Sequence, residues 1–428
     1  MKIFFILELI LLRILLEAAF IIRIKDYLLY DFVFKSDLFK VIESYFLLTI
    51  MLFLLISVTN HKKISNILIF VLFIIHYIPS LIIYGQMDLS REFIYLTTLY
   101  WFILIIAAKL IKIKKIEFKK SINTSKLFYI IIISWCILVP IICFTYFDID
   151  FNTELFNLFS KEIYNIRETN TEIYDSLGVL NSFLRWGAFV VFPLMFTYFY
   201  SNNKKWYCLI PIILQLLLFF TMPFKSWLLI IPLTFILYKV YNPNKFLNNI
   251  VKLINIFLVV AILSFKYFSQ VFGEYLILLI VRRVFFVPPL LSSLYYDFFS
   301  ERLPYLMHFS ILKYLVSNNY NEPVPSLISQ FYYGREFSAN TGLFGDAYAI
   351  FKFSGVIIFP LILALLFKLL DNFTSNIEQK AIIGVVLAQT LVLTNSSIIA
   401  ILVGHGFIFM LLMFLIMPKT KEIQFEKT

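Results

Sequence analysis

Charge is scarce in this chain of 428 residues: Asp, Glu, Lys and Arg make up 15%, hydrophobic residues 61%, and the mean hydropathy is +0.88. A soluble globular domain is about 25% charged and about 45–50% apolar, so the composition excludes one. Runs of Phe, Leu and Ile at the length of membrane spans identify a polytopic, all-α membrane protein. Cysteine is nearly absent. Cys136, Cys143 and Cys208 all lie in apolar segments and provide neither a disulfide framework nor a CxxC metal pattern. The four histidines, His61, His76, His308 and His405, are scattered, and no HExxH pair exists. No acidic cluster suggests a metal either, so neither metal nor cofactor is expected. A signal-peptide cleavage pattern is missing, and the first apolar segment is expected to stay as a span. No internal repeat or low-complexity linker is visible, and the inverted halves of many transporters are not apparent.

What is abundant is lysine, between the apolar runs. The net charge of +11 would suggest nucleic acid in a soluble protein, but no base-readout or stacking signature accompanies it. No nucleic-acid partner is expected; the membrane lipid is. About twelve spans are read from helix-length apolar runs, at 3–22, 41–58, 64–84, 92–110, 127–147, 179–200, 206–222, 226–241, 249–270, 346–369, 381–397 and 399–417. The whole chain, 1–428, reads as one membrane domain. The lysine-rich stretch from Lys109, HKK at 61–63, NNKK at 202–205, YNPNK at 241–245 and the C-terminal tail fall on one side. The excess of positive charge places that side, with both termini, in the cytoplasm. Two long loops then face outward, at 148–178 and 271–345; long ordered loops are usually functional.

The polar residues inside this apolar frame need separate explanations. Arg282 and Arg283 stand in the middle of EYLILLIVRRVFFVPPLLSSLYYDFF. The flanks are too short to span, so a re-entrant or interfacial helix is expected, ended by Pro288 and Pro289. The pair either anchors to lipid headgroups or captures a phosphate-bearing ligand through its planar donors. Lys225, in the turn TMPFKSW, is either a snorkelling lysine or a second outer cation. Arg185 lies within VLNSFLRWG with Asn181 at i−4, and faces either a carboxylate of another helix or a wet cavity. Arg13 and Glu17 are spaced to satisfy each other. In ANTGLFGDAYAIF, Gly342 and Gly345 permit close backbone approach. Asn340 or Thr341 caps a helix whose first turn holds Asp346, or else the group forms a polar floor for a ligand.

Three of these segments, in order, have a likeness elsewhere. RRVFFVPPLLSSLYYDFFS resembles the Arg-rich, Pro-containing outer-loop motif of Wzy-type oligosaccharide repeat-unit polymerases. ANTGLFGDAYAIFKFSGVII resembles their Asn-Thr-Gly…Gly-Asp/Glu-Ala-Tyr-x-x-Phe-x-x-x-Gly signature at the start of a late span. TMPFKSWLLIIPL resembles the Ser-Arg-containing turn between two middle spans of the wider O-antigen polymerase and ligase group. Elsewhere the match is in hydropathy alone. Lys225 stands where an arginine is common, which leaves a point charge without a fork. Lys352 and Phe353 stand where small residues or Gly are frequent.

The resemblance implies a GT-C-like, lipid-dependent glycosyltransferase. It would join undecaprenyl-diphosphate-linked repeat units into O-antigen or capsular polysaccharide, at the outer (periplasmic) face of the bacterial inner membrane. A chain-length regulator and a flippase of the same pathway are the partners it implies. Departure of the lipid diphosphate develops negative charge that fixed cations stabilise. Arg282 and Arg283 are first choice for that role, assisted by Lys225 or Arg185. Asp346 is the candidate to deprotonate or orient the acceptor hydroxyl, with Asp297 in reserve. Asn340, Arg335 and His308 would bind sugar hydroxyls or phosphate. Tyr295, Tyr296, Tyr332 and Tyr333 either line a sugar groove or pack at the interface. Two other functions compete. An O-antigen ligase shares the hydropathy and the cation logic. A lipid-linked oligosaccharide flippase is disfavoured by the long 271–345 loop.

Overall fold

The computed structural model describes residues 2–27, 34–58, 63–114, 122–149, 151–157, 160–268, 270–306 and 320–418. Among them the chain is helical, with no strand. The helices are α1 (Lys2–Ile22), α2 (Leu38–Val58), α3 (Ile64–Gln86), α4 (Arg91–Leu110), α5 (Ile122–Tyr146), α6 (Glu162–Ser176), α7 (Val179–Ser201), α8 (Leu209–Thr221), α9 (Lys225–Val240), α10 (Phe246–Phe268), α11 (Val271–Ser300), α12 (Val324–Tyr333), α13 (Leu343–Phe373), α14 (Gln379–Val392) and α15 (Phe407–Ile416). Eight of the described helices are long and apolar enough to cross a membrane: α2, α3, α4, α5, α7, α10, α11 and α13. The apolar runs at 206–222, 226–241, 381–397 and 399–417 fold as helices too short for that, and α1 has the length but carries Glu8, Arg13 and Glu17.

The chain forms two compact units. The first comprises Met1–Ile113, Asn242–Leu369 and Leu391–Ile398; the second comprises Lys114–Tyr241, Leu370–Thr390 and Ile399–Thr428. The first unit is built around α3, which is buried along its length. A hydrogen-bonded rim closes one end of it. Tyr84 donates to Glu43 at 2.6 Å, Gln86 and Tyr45 each donate to Glu17 at 2.7 Å, and Arg91 pairs with Glu43 at 3.4 Å. This Glu43 end gathers the C-terminal ends of α1 and α3 with the N-terminal ends of α2 and α4. Arg13 lies 4.0 Å from Glu17, as its spacing suggested, and also donates to Ser44 at 2.9 Å.

A recurrent device lets these helices carry proline. Stretches of π-helix at Phe73–Tyr77, Gly187–Val191 and Leu276–Phe286 precede Pro79, Pro193 and the pair Pro288–Pro289. Proline lacks the N–H for the i−4 bond, and its ring clashes with that carbonyl. A wider turn just before it re-registers the ladder, and the proline then occupies the first turn of the next helical stretch, where no donor is needed.

This corrects the expected end of the Arg282–Arg283 helix. It does not stop at Pro288 and Pro289 but runs to Ser300, so the first thirty residues of the 271–345 loop are helix. Both ends of α11 nevertheless lie at the Glu43 end. Glu274 accepts from Arg23 at 2.5 Å and from Tyr27 at 2.6 Å, just past α1, and Phe286 lies 5.2 Å from Phe20. Tyr296 meets Ser90 and Glu92 at the start of α4, its ring 5.8 Å from Phe93. A helix with both of its ends at one end of a bundle does not join the bundle's two ends.

The second unit packs α8 against α5, α7 and α9, and α15 against α5. Within it, the Cβ position of Gly384 on α14 lies 2.8 Å from Thr234 on α9.

Candidate functional site

The segment Asn340–Asp346 is drawn into the first unit by its two glycines. A Cβ on Gly342 would stand 2.0 Å from the Leu393 carbonyl oxygen and 2.4 Å from that of Ser396. The Gly342 N–H donates to the Thr394 carbonyl at 3.3 Å. A Cβ on Gly345 would stand 3.0 Å from the Cα of Ser292 on α11. Close approach is thus what both glycines provide. Around them runs a buried polar chain: His76 to Ser292 at 3.2 Å, Ser292 to Thr341 at 3.0 Å, and Thr341 donating to the Pro288 carbonyl at 3.1 Å. Tyr295 donates to the Ala339 carbonyl at 2.9 Å. Thr341 is therefore engaged across to α11, and Asn340 is exposed.

Asp346 does not stand at an open mouth. It is 4% exposed, and its carboxylate accepts from the backbone N–H of Ile398. Ile398 begins the helical turn that follows the unwound residues 393–397. An anionic side chain at such a start satisfies an orphan N–H and the helix dipole. The glycine contacts that bring Leu393–Ser396 and Ser292 close are also what cover the carboxylate.

Beyond Asp346, α13 is two helices in one. Lys352 has φ 49° and ψ −132°, a non-helical conformation inside it. The break falls at the site where the polymerase signature often has Gly or a small residue. The Lys352 ammonium lies 3.4 Å from the Ser300 carbonyl oxygen at the C-terminus of α11, a favourable end for a cation.

Arg282 and Arg283 lie in the π-helical part of α11. Arg282 is half-buried and Arg283 exposed. Adjacent helical residues do not share a face, and the two differ in burial accordingly. Arg282 lies near Tyr333 at the end of α12. Burial pushes that phenol up to about 12, against the opposing pull of Arg282. Asp297, on α11, is exposed and accepts from Tyr332 at 2.5 Å. Arg335 follows Gly334, which ends α12 in the left-handed conformation (φ 58°), and is exposed. His308 lies outside the described residues.

Lys225 and Arg185 belong to the second unit. Arg185 Nε donates to Asn181 at 2.8 Å and to Tyr174 at 3.0 Å. Among the described residues no carboxylate lies within ion-pair distance of Arg185, so the ion pair that was one of its two readings is not formed there. Lys225, the first residue of α9, donates to the Tyr164 hydroxyl at 3.4 Å and lies 5.3 Å from that ring. Sequence reasoning missed a third cation beside them. Arg167 on α6 sits 4.9 Å over Phe224, and burial lowers its pKa. Tyr174 lies 6.1 Å from the same Phe224. The signal was available: Ile163, Arg167, Asn170 and Tyr174 recur at helical spacing, and all but Arg167 are buried.

Among the described residues no three His, Cys, Asp or Glu side chains converge as metal ligands do. No family model, no curated protein and no solved structure matches the chain.

Proposed function

We propose that this chain is a Wzy-type polymerase, a GT-C-like glycosyltransferase with about twelve spans and both termini in the cytoplasm. The Glu43 end then faces the periplasm across the bacterial inner membrane. It joins undecaprenyl-diphosphate-linked oligosaccharide repeat units. The observation that carries this reading is that Arg167 and Arg185 are held by aromatic and amide groups, with no carboxylate in ion-pair range among the described residues. Cations kept in an apolar frame without protein counter-charges are suited to an anionic ligand. The reaction has two lipid diphosphates, one on each substrate. Arg282 and Arg283 serve the donor's, and Arg167, Arg185 and Lys225 serve the acceptor's.

The chemistry follows from these roles. An acceptor hydroxyl attacks the anomeric carbon of the donor sugar. A C–O bond forms there as the bond to the diphosphate oxygen breaks, and the electron pair leaves with the lipid diphosphate. Fixed guanidiniums stabilise that developing charge without reorganising. The hydroxyl proton passes to a carboxylate. Asp346 is buried and bound to Ile398, so the exposed Asp297 is the carboxylate a substrate hydroxyl reaches.

Incubation of the purified protein with purified lipid-linked repeat units tests the proposal. A ladder of polymer with release of undecaprenyl diphosphate is expected. Folded protein that yields no species longer than one repeat unit overturns it.

A further inference from the structure

Asp297 and Arg302 are opposite charges five residues apart, and they do not pair within ion-pair distance among the described residues. Each is held by an aromatic side chain instead. Asp297 Oδ2 accepts from Tyr332 at 2.5 Å. The Arg302 guanidinium sits in the corner formed by two rings, 4.2 Å from that of Phe298 and 4.6 Å from that of Phe331, and donates to the Phe298 carbonyl at 3.0 Å. Two rings pin the cation and one phenol pins the anion. Burial, with Asp297 beside it, raises the Tyr332 phenol well above its ordinary value, so it remains a donor.

The third component is an open ring. Phe331 is 56% exposed although Arg302 lies over it. It packs edge-on against both Phe298 and Tyr332, with centroids at 5.3 Å and 4.9 Å. The ring is thus fixed in place and still accessible. An oriented carboxylate, an oriented guanidinium and a fixed aromatic plane within one small region match one ligand chemistry. A pyranose has an apolar face of C–H groups that stacks on an aromatic ring. Its vicinal hydroxyls donate to a carboxylate and accept from a guanidinium. A phosphate would be repelled by Asp297, and a purely apolar partner would leave both charges desolvated.

We infer that Asp297, Arg302 and Phe331 form a subsite for one sugar ring of the oligosaccharide, with Tyr332 as its positioning residue. The inference rests on the polymerase reading only for the identity of that oligosaccharide. The geometry also accounts for the reach of Asp297 to an acceptor hydroxyl. A sugar stacked on Phe331 presents its ring hydroxyls to a carboxylate whose second oxygen, Oδ1, carries no hydrogen bond among the described residues.

The test is saturation-transfer NMR titration of the full chain in detergent. The probe is the free oligosaccharide released by mild acid from the producing cell's own lipid-linked repeat unit, with inorganic pyrophosphate titrated in parallel. Wild-type protein is expected to bind the oligosaccharide. Phe331→Ala and Asp297→Asn should each weaken that binding at least tenfold and leave pyrophosphate binding within twofold. Asp297→Asn is nearly isosteric, so it reads the site even if Phe331→Ala fails to fold. Oligosaccharide binding that is absent in the wild type, or within twofold of wild type in Asp297→Asn, overturns the subsite. Selective loss in the variants, from a wild-type protein that forms no polymer, removes the polymerase reading and leaves the subsite standing. Polymer formation with unchanged oligosaccharide affinity does the reverse.

Discussion

A Cβ placed on Gly355 would stand 1.9 Å from the carbonyl oxygen of Ala347, eight residues earlier. In an uninterrupted helix residues so separated lie about 12 Å apart along the axis. The contact exists because the chain breaks at Lys352, with φ 49° and ψ −132°. Gly355→Ala is therefore expected to destabilise the protein by about 1–3 kcal/mol, the usual range for overpacking. Lys352→Gly should act in the opposite direction, because glycine adopts that backbone without the strain, which is typically about 1–3 kcal/mol. Thermal unfolding in detergent checks both. A lower midpoint for Lys352→Gly would mean that the contact of Lys352 with Ser300 outweighs the relief.

Asp346 supplies the second prediction. Its carboxylate holds the Ile398 N–H, and an asparagine oxygen accepts from the same donor. Asp346→Asn should keep polymer turnover within about threefold of wild type, whereas a general base would be missed by about a hundredfold or more. Asp346→Ala leaves a buried N–H unpaired and should cost about 1–3 kcal/mol. Turnover at matched amounts of folded protein decides. A hundredfold loss in Asp346→Asn would return the base assignment to Asp346.

The third prediction concerns the arginine pair on α11. Arg282→Ala and Arg283→Ala are each expected to abolish polymer with protein levels unchanged. Lysine at either position should restore only part of the activity, because charge returns without the planar fork. Full-length polymer from cells carrying both alanines would remove the pair from the reaction.

The second unit predicts a graded response. Arg167→Lys keeps the charge but loses the flat cation over Phe224, and should raise the KM for the lipid-linked acceptor several-fold with little change in kcat. Arg185→Lys also loses the Nε that serves Asn181 and Tyr174, and should lower stability as well. Steady-state kinetics with purified substrate separates the two. An unchanged KM in Arg167→Lys would make Arg167 a packing residue.

The last prediction is topological. The lysine-rich segment at 109–126 should lie in the cytoplasm and the Glu43 end outside. Reporter fusions in the 109–126 segment and at Asp88, beside the rim, should give opposite signals. An external signal from the lysine-rich segment would invert the orientation.

Much of the helical frame was legible in the sequence, because apolar runs of span length have few other folded outcomes. The two glycines of ANTGLFGD were also legible, since close approach is the common reason to spend glycine at a helix start. The course of α11 was not. Pro288 and Pro289 read as a stop, but a π-helical stretch carries the helix through them. That stretch depends on packing against α1 and α3 rather than on a local pattern.

The sequence by itself determined a helical membrane protein, the approximate place of most spans, and the residues whose polarity would need an explanation. Only the tertiary structure decided which of those polar groups are already satisfied. Asp346 is answered by Ile398, 52 positions away, and Arg185 by Tyr174 and Asn181. Asp297 and Arg302, close in sequence, are kept apart by aromatic side chains of α11 and α12. The physical reason is that hydropathy and helical period record how each residue meets solvent or lipid. Whether a charge is neutralised depends on atoms brought within a few ångströms by distant segments, and no periodicity encodes that.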